Sequence, residues 1–289
     1  VTSVAREKGW RDYSVSVEAP EGYSVTVEPS SFSLKRGQSA TYYVTVTNES
    51  APIGEWRFGS LTWSDKTGHY EVYSPIAVRG ALFSSPAEVA GSGESGSASF
   101  DVTFGYTGAY AAAPHGLAAD APVSDLIGQD PDQTYPSGDD GVNGGVVWID
   151  YPVAGAAFAR WEMVIPGDDD IDLFLHNSSG AIIATSTSGG TDELIELTLP
   201  ADDVYTMAVH GWAVPNEPLP FTLHYWEVPL ASGGSLVIDA APTAATVGTI
   251  GTIDLSWSGL TSGTTYLGAV SHTGDVGLMG LTLVEVDTR

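Results

Sequence analysis

The chain has 289 residues, of which 43% are hydrophobic, and its formal net charge is −26 at pH 7. This length suffices for two or three domains, and no apolar run approaches the roughly 20 residues of a membrane-spanning helix. Cysteine is absent, which excludes disulfides and thiolate metal sites. The first nine residues include Arg6, Glu7 and Lys8 and lack an apolar core, so we expect a mature product or an excised fragment rather than a signal peptide.

The negative charge is concentrated after residue 88. Residues 1–88 hold eight of the ten basic residues and ten of the 36 acidic residues, a net charge of −2. Residues 89–289 hold the other two basic and 26 acidic residues, a net charge of −24. Such a surface repels nucleic acid and anionic membranes and attracts cations. We therefore expect no nucleic-acid partner, and the charge is typical of a soluble exported protein.

Alternating apolar and polar residues predict a first β-sandwich over residues 1–83. Tyr13–Val17 and Tyr23–Val27 alternate on either side of a turn that contains Pro20 and Gly22, and Thr41–Val46 alternates again. About seven such strands at this spacing are typical of a fibronectin-type sandwich.

The order of short motifs in this segment resembles the fibronectin-III-like domain that follows the catalytic domain in subtilisin-like serine proteases of plants and bacteria. The motifs are Glu18–Gly22, Val25–Phe32, Phe58–Asp65 and Ser74–Val78. Two tryptophans of this segment, Trp56 and Trp63, suggest a sugar-binding platform. Core and edge packing is the stronger interpretation of both, because aromatic side chains bury large areas in sandwiches.

A Ser- and Gly-rich stretch, residues 84–97, predicts a linker, and residues 98–230 predict a second sandwich. Within that second domain Gly167–His176 alternates, which places Ile171, Leu173 and Leu175 on one face of a strand. Turn residues follow at once, and further short strands come after them. We therefore predict an antiparallel sandwich built without helices.

This second domain resembles the bacterial pre-peptidase C-terminal type of β-sandwich, a jelly-roll module appended to secreted proteases. The residues that carry the likeness occur in a fixed order: Asp168–Leu173, Asp192–Glu193, Val204–Thr206 and His210–Trp212. The likeness spans roughly residues 89–230.

Residues 231–289 predict four or five further strands, among them Thr252–Trp257 and Leu281–Val286. Trp257–Leu260 and Tyr266–Val270 resemble the terminal fibronectin-like extension of bacterial subtilases. A lone sandwich below about 60 residues is marginal, so we expect this extension to pack on its neighbour. The predicted fold class is therefore all-β, with tandem antiparallel sandwiches and a small β tail.

The sequence shows no serine-protease triad. The histidine contexts at His115, His210 and His272 do not match those of subtilisin-like enzymes, and Gly263-Thr-Thr lacks a serine. We expect His210 and His224 to be satisfied by neighbouring groups. Asp170 and Asp172 lie about 7 Å apart along the strand, as do the carboxyl groups of inverting glycosidases. Such pairs normally flank a deep cleft on different elements, so we reject that interpretation.

A calcium site is the other use of these carboxylates. Calcium needs six to eight oxygen ligands, more than one strand supplies. We predict that the strand's aspartates combine with aspartates of a long loop over that face: Asp168, Asp170 and Asp172 with Asp130, Asp132, Asp139 or Asp140. The alternative is an acidic, hydrated surface with no ordered ion.

These patterns and resemblances imply a non-catalytic C-terminal accessory region of a secreted subtilisin-like serine protease, which supports stability, secretion, or substrate or surface binding. The implied partners are the catalytic domain of that protease and a protein or polysaccharide substrate. The alternative is a freestanding extracellular adhesin or carbohydrate-binding module. Exposed, coplanar aromatic side chains lining a groove would favour the alternative.

Overall fold

Strands and turns make up the regular structure of this chain. The structure is a computed structural model that describes residues 1–6, 9–136, 144–165, 167, 169–190 and 192–289. The chain divides into two compact units, Val1–Phe83 and Ser84–Arg289. Among the described residues no helix is long and apolar enough to cross a membrane. The all-β prediction is confirmed.

The first unit contains a four-stranded sheet in the order β3-β1-β5-β6 and a two-stranded sheet, β2-β4. Alternation in β1, β3 and β5 turns one set of side chains inward, and Trp63 lies at the centre of that core with Val27 and Leu61. The ring of Trp63 is 4.3 Å from that of Phe32 and 5.1 Å from that of Tyr42. The strands are β1 (Arg11–Glu18), β2 (Tyr23–Glu28), β3 (Ser31–Leu34), β4 (Tyr43–Asn48), β5 (Trp56–Asp65) and β6 (Glu71–Arg79), and β7 (Phe83–Ser84) falls at the boundary of the two units.

The second unit contains a sandwich whose strands come from both ends of its sequence. One sheet has the order β20-β10-β22-β23-β8, and in the other β9 pairs with β21 and β21 with β19. Phe100 of one sheet contacts His272 of the other, with ring centroids 6.1 Å apart. We call this the outer-ends sandwich. Its strands are β8 (Glu88–Ser92), β9 (Gly96–Phe104), β10 (Gly108–Ala119), β19 (Leu236–Ala240), β20 (Ala244–Ala245), β21 (Ile250–Trp257), β22 (Thr265–Gly274) and β23 (Gly277–Asp287).

A second sandwich is inserted between β10 and β19. Its sheets have the orders β11-β18-β13-β16 and β12-β17-β14-β15. The core between them is built around Trp161, which is fully buried against Tyr151 and Tyr225. We call this the inserted sandwich. Its strands are β11 (Val123–Ile127), β12 (Val146–Val153), β13 (Ala156–Met163), β14 (Asp170–His176), β15 (Ile182–Ser186), β16 (Glu193–Thr198), β17 (Asp203–Ala213) and β18 (Leu219–Pro229).

The segment predicted as a linker, residues 84–97, forms β8 and the beginning of β9 instead. Its glycines have a packing reason, since the indole ring of Trp257 lies directly against Gly91 and Gly96. A Cβ atom at either glycine would overlap that ring. A glycine that makes room for a distant tryptophan cannot be told from a flexible glycine in the sequence alone.

The predicted boundaries 98–230 and 231–289 also differ from the observed sheets. β9 and β10 pair with β21 and β22, so residues 98–119 belong with the tail rather than with the middle of the chain. β8 pairs in parallel with β23, register Val284 to Val89, which brings the two ends of the unit side by side. Local alternation predicts that a strand exists but not which strand it pairs with, because pairing is decided by contacts far apart in sequence.

The two sandwiches of the second unit share a buried seam, as expected for a tail too small to be stable alone. Phe158, Trp226 and Val228 of the inserted sandwich pack against side chains of β22 and β23, including Leu267 and Leu283. The seam also holds an ion-pair cluster, in which Arg160 contacts three carboxylates: Glu88 at 2.5 Å, Glu196 at 2.7 Å and Glu285 at 3.3 Å.

Candidate functional site

The outer face of the sheet β12-β17-β14-β15 carries the polar side chains that the sequence singled out. On β14, Ile171, Leu173 and Leu175 are fully buried in the core, which confirms the predicted face. Asp170, Asp172, Phe174 and His176 alternate with them. Because β14 pairs with β17, Asp172 lies opposite His210 in the register.

His210 lies between two carboxylates. Its Nε2 is 2.9 Å from Oδ2 of Asp130, and its Nδ1 is 3.5 Å from Oδ2 of Asp172. The imidazole is fully buried. Burial alone would lower the pKa of His210, but the neighbouring carboxylates of Asp172 and Asp130 outweigh it and raise the pKa. The contact with Asp130 is a hydrogen bond, whereas Nδ1 is buried without a hydrogen-bond partner among the described residues. His210 is therefore a buried hydrogen-bond partner of Asp130 that lies beside Asp172, and only one of its two ring nitrogens is satisfied as predicted.

The segment 128–136 covers the outer face of the sheet β12-β17-β14-β15, and this cover explains why His210 is buried. The main-chain N–H of Asp130 donates to the Gly211 carbonyl at 2.8 Å. The Asp130 carboxylate accepts from the N–H of Asp132 at 3.1 Å and of Thr134 at 3.0 Å. A Cβ at position 211 would collide with the Gly128 carbonyl oxygen, so glycine allows the close approach of the two backbones.

Stacked aromatic side chains also cover the outer face of β14. The Tyr135 ring lies parallel to Phe174 with centroids 3.7 Å apart, and its hydroxyl is 2.5 Å from Nε2 of His176. Trp148, which is 41% exposed, lies beside His176 with ring centroids 5.3 Å apart. The predicted long loop therefore passes over the predicted strand face, but it does so mainly through hydrogen bonds and ring stacking.

Of the seven aspartates predicted as calcium ligands, the four that the structure describes do not form a metal-holding group: Asp130, Asp132, Asp170 and Asp172. Asp130 is buried, and N–H donors occupy both of its oxygens. Asp132 lies exposed on the loop, and Asp170 accepts from the Gly190 N–H at 3.2 Å. Across the described ranges no three acidic or histidine side chains are arranged to hold a metal ion. Three of the predicted residues lie outside the described residues: Asp168, Asp139 and Asp140.

Glu193, at the first position of β16, is the acidic residue that the site prediction missed. It is 1% exposed, and its Oε1 accepts from the Ser188 hydroxyl at 2.9 Å. Its Oε2 is buried without a hydrogen-bond partner among the described residues. Burial raises the pKa of Glu193, the hydroxyl groups of Ser186 and Ser188 counter part of this rise, and the charges of Asp172 and Asp170 add to it. The adjacent Asp192 and Glu193 in the sequence were a signal, but alternation does not show that the second is buried.

A serine and a histidine do meet in the outer-ends sandwich. Nε2 of His115 is 2.9 Å from Oγ of Ser271, and both residues are buried. Nδ1 of His115 is buried without a hydrogen-bond partner in the part of the chain that the structure describes, so no carboxylate orients the ring there. His224 instead pairs with Asp120 at 2.5 Å. The Ser271–His115 pair lacks both the third member and the access to substrate that acyl transfer needs.

Two aromatic side chains form a platform on the first unit. Trp56 and Phe58 alternate on β5 and are 55% and 72% exposed. Their rings are 6.5 Å apart with an interplanar angle of 18°. Trp63, in contrast, is 2% exposed, so the platform interpretation is wrong for Trp63 and core packing is confirmed for it.

Together these features define a class: an all-β chain with a fibronectin-type sandwich followed by a larger two-sandwich unit. Residues 1–78 match the family model of the fibronectin type-III domain. The CO(2)-response secreted protease of Arabidopsis thaliana is 40% identical over 79 residues, which are 27% of this chain and 10% of that protein. A subtilisin-like protease of Glycine max is 41% identical over 69 residues, 23% of this chain and 8% of that protein. The matched region thus spans a tenth or less of these relatives.

Solved structures were also matched, and two of them are a secreted serine protease and a peptidase. The secreted serine protease VesC from Vibrio cholerae aligns with 78% of this chain and 45% of its own at 7% identity and a TM-score of 0.20. Tripeptidyl peptidase 2 aligns with 100% of this chain and 26% of its own at 8% identity and a TM-score of 0.30. At these scores the likeness carries no structural argument. The first unit is therefore a fibronectin type-III domain related to those of subtilisin-like proteases, as its motifs predicted. The pre-peptidase resemblance of roughly residues 89–230 stays a prediction.

Proposed function

We propose that this chain is a non-catalytic accessory region of a secreted subtilisin-like serine protease. The observation that carries the proposal is the fibronectin type-III domain at residues 1–78, whose matched relatives are subtilisin-like and secreted proteases. The partner is the catalytic domain of that protease, and the place of action is outside the cell. Buried histidines with structural partners support the non-catalytic role.

The second unit suits a stabilising or spacing role. Its two sandwiches share an apolar seam and the Arg160 ion-pair cluster, so they act as one body. Its net charge of −25, from two basic and 27 acidic residues, keeps such a body soluble at high concentration of salt and protein.

The chain alone is expected to leave peptides intact, because the Ser271–His115 pair is buried and has no orienting carboxylate. The measurement is hydrolysis of a panel of fluorogenic peptides, together with labelling by a fluorophosphonate probe. Subtilisin at equal concentration serves as the positive control. Stoichiometric labelling of one serine, identified by mass spectrometry, would overturn the non-catalytic assignment.

A second candidate function, glycan binding, is favoured by the Trp56–Phe58 platform. Exposed rings that lie nearly parallel present two apolar surfaces in line along one strand. The C–H faces of pyranose rings stack on such surfaces, and the polar edges of the sugar stay in water. The guanidinium of Arg79 lies over one face of the Trp56 ring, 5.7 Å from its centroid, which adds a cation to the platform for anionic or hydroxyl-rich sugars.

Replacement of Trp56 by alanine is expected to weaken polysaccharide binding about tenfold or more, if this platform is used. Affinity electrophoresis in gels that contain soluble cellulose, chitin or pectin derivatives measures polysaccharide binding by the wild type and the variant. Trp10→Ala is the matched control, because Trp10 is also exposed, at 62%, and belongs to the same unit. Unretarded migration of the wild-type chain in every gel would dismiss this candidate and leave the accessory assignment intact.

A further inference from the structure

A cavity of about 120 Å³ lies beside the core of the first unit. Its walls are mainly apolar and aromatic, and they include the side chains of Phe32, Leu34 and Trp63. Well-packed protein interiors contain few voids larger than a water molecule, so a cavity of this size is unusual. A cavity of roughly 150 Å³ with apolar walls binds benzene. The space in the first unit is therefore close to the size that one aromatic ring requires.

The segment 1–5 forms one wall of the cavity. The N–H of Ser3 donates to the Gln38 carbonyl at 2.9 Å, and the N–H of Ala40 donates to the Val1 carbonyl at 2.9 Å. The side chain of Ser3 is buried on the inner side of this wall. The backbone hydrogen bonds anchor the wall to a neighbouring segment of the chain, which keeps it from collapsing onto the core and closing the cavity.

The cavity opens to solvent beside three exposed residues. Val4, Glu71 and Val72 line the cavity and are themselves exposed. A small ligand can therefore enter without unfolding of the unit. The Glu71 carboxylate places a negative charge at this opening, and this charge repels anionic ligands. A neutral ligand is therefore favoured over a carboxylate.

Trp63 contributes a hydrogen-bond donor to the cavity wall. Its side chain is buried, and its Nε1 has no hydrogen-bond partner among the described residues. An indole N–H can only donate, and a buried donor left without an acceptor is costly. The hydroxyl groups of Ser3 and Tyr13, which also line the cavity, are 3.1 Å apart and bond to each other. A ligand with an acceptor oxygen would satisfy the Trp63 N–H.

We propose that this cavity binds a small, neutral aromatic alcohol of the size of phenol. The ring occupies the apolar space beside Phe32 and Leu34, where aromatic and aliphatic walls contact its faces and edges. Its hydroxyl oxygen accepts from the Trp63 N–H, and its hydroxyl hydrogen donates to the Ser3–Tyr13 pair, whose oxygens retain lone pairs. Benzene lacks the acceptor oxygen, and benzoate carries a charge that the opening of the cavity repels.

The test uses the isotope-labelled full chain, titrated with phenol and followed by NMR. Binding is expected to move the assigned indole N–H resonance of Trp63 downfield, because that group gains an acceptor. The indole of the exposed Trp10 is the internal reference and should not move. Phenol at ten times its Kd should raise the melting temperature of the first unit by roughly 5 to 10 °C. Benzene should bind about fivefold more weakly than phenol, and benzoate more weakly still.

Two variants decide whether the cavity is the site. Ala5→Leu fills the cavity, because Ala5 is buried and lines it. This variant should bind phenol about tenfold or more weakly, yet its melting temperature without ligand should equal or exceed that of the wild type, because the added methyl groups occupy empty space. Ala77→Leu is the matched control with unchanged phenol affinity, since Ala77 is exposed on the same unit outside the cavity. An unmoved Trp63 resonance in the wild type would overturn the proposal, as would undiminished phenol affinity in Ala5→Leu or equal affinity for benzene and phenol.

Discussion

Replacing Arg160 by methionine is expected to destabilise the second unit by about 3 kcal/mol. The Arg160 side chain is 9% exposed and contacts Glu88, Glu196 and Glu285, which come from three strands. Removal of the guanidinium leaves three carboxylates facing one another with no counter-charge. Breaking a fully buried pair costs about 3 to 5 kcal/mol, and the lower end applies here because the glutamates are about one third exposed.

Differential scanning calorimetry of the full chain measures this loss as a lower melting temperature for the transition of the second unit. Arg160→Lys should recover only part of it, because an ammonium cannot present the planar fork that serves several carboxylates at once. Arg289→Met is the control, since Arg289 is 62% exposed and an exposed ion pair contributes at most about 1 kcal/mol. Equal stability of the Arg160→Met variant and the wild type would show that the apolar seam alone holds the sandwiches together.

Acidification is expected to destabilise the second unit by about 3 kcal/mol through His272 alone. Burial lowers the pKa of His272 from its ordinary value of 6.5 to about 4. Nδ1 of His272 is 2.8 Å from the Tyr110 hydroxyl, and Nε2 is 2.9 Å from Oγ1 of Thr282. Below pH 6.5 His272 is protonated in the unfolded chain, whereas in the folded chain it stays neutral until the pH approaches 4. The contribution is therefore complete above pH 6.5, is lost as the pH falls toward 4, and changes no further below that.

Melting temperatures of the wild type and of His272→Gln are recorded between pH 7.5 and 4. Their difference separates the contribution of His272 to stability from that of the many carboxylates. The variant is less stable at pH 7 because it loses hydrogen bonds, but its stability should fall less steeply below pH 6.5. His69→Gln is the control, because His69 is exposed in the first unit. Parallel curves for the wild type and His272→Gln would contradict a buried, neutral His272.

Much of the first unit follows from its sequence. The strands at Tyr13–Val17 and Tyr23–Val27 were predicted by alternation and lie within β1 and β2. Alternation works there because each strand has one face on the core and one in water. The exposure of Trp56 and Phe58 could not be predicted, since an aromatic residue on a strand has the same pattern whether another surface covers it or not.

The same distinction applies to the candidate site. Alternation placed Ile171, Leu173 and Leu175 in the core and the acidic residues opposite them. The sequence could not show that His210 lies between Asp130 and Asp172, because Asp130 is 80 residues away and reaches the site on a covering loop. The partnerless oxygen of Glu193 is likewise a product of how the two sheets pack.

The sequence by itself determined the all-β class, the fibronectin type-III domain of residues 1–78 and the inward faces of individual strands, because these depend on local periodicity and on short motifs. Only the tertiary structure decided that residues 98–119 pair with the last strands and that Gly91 and Gly96 lie beneath Trp257. It also decided that Arg160 joins three distant glutamates. Sheet pairing and burial are set by contacts between residues up to about 200 positions apart, and one strand's pattern carries no information about its partner.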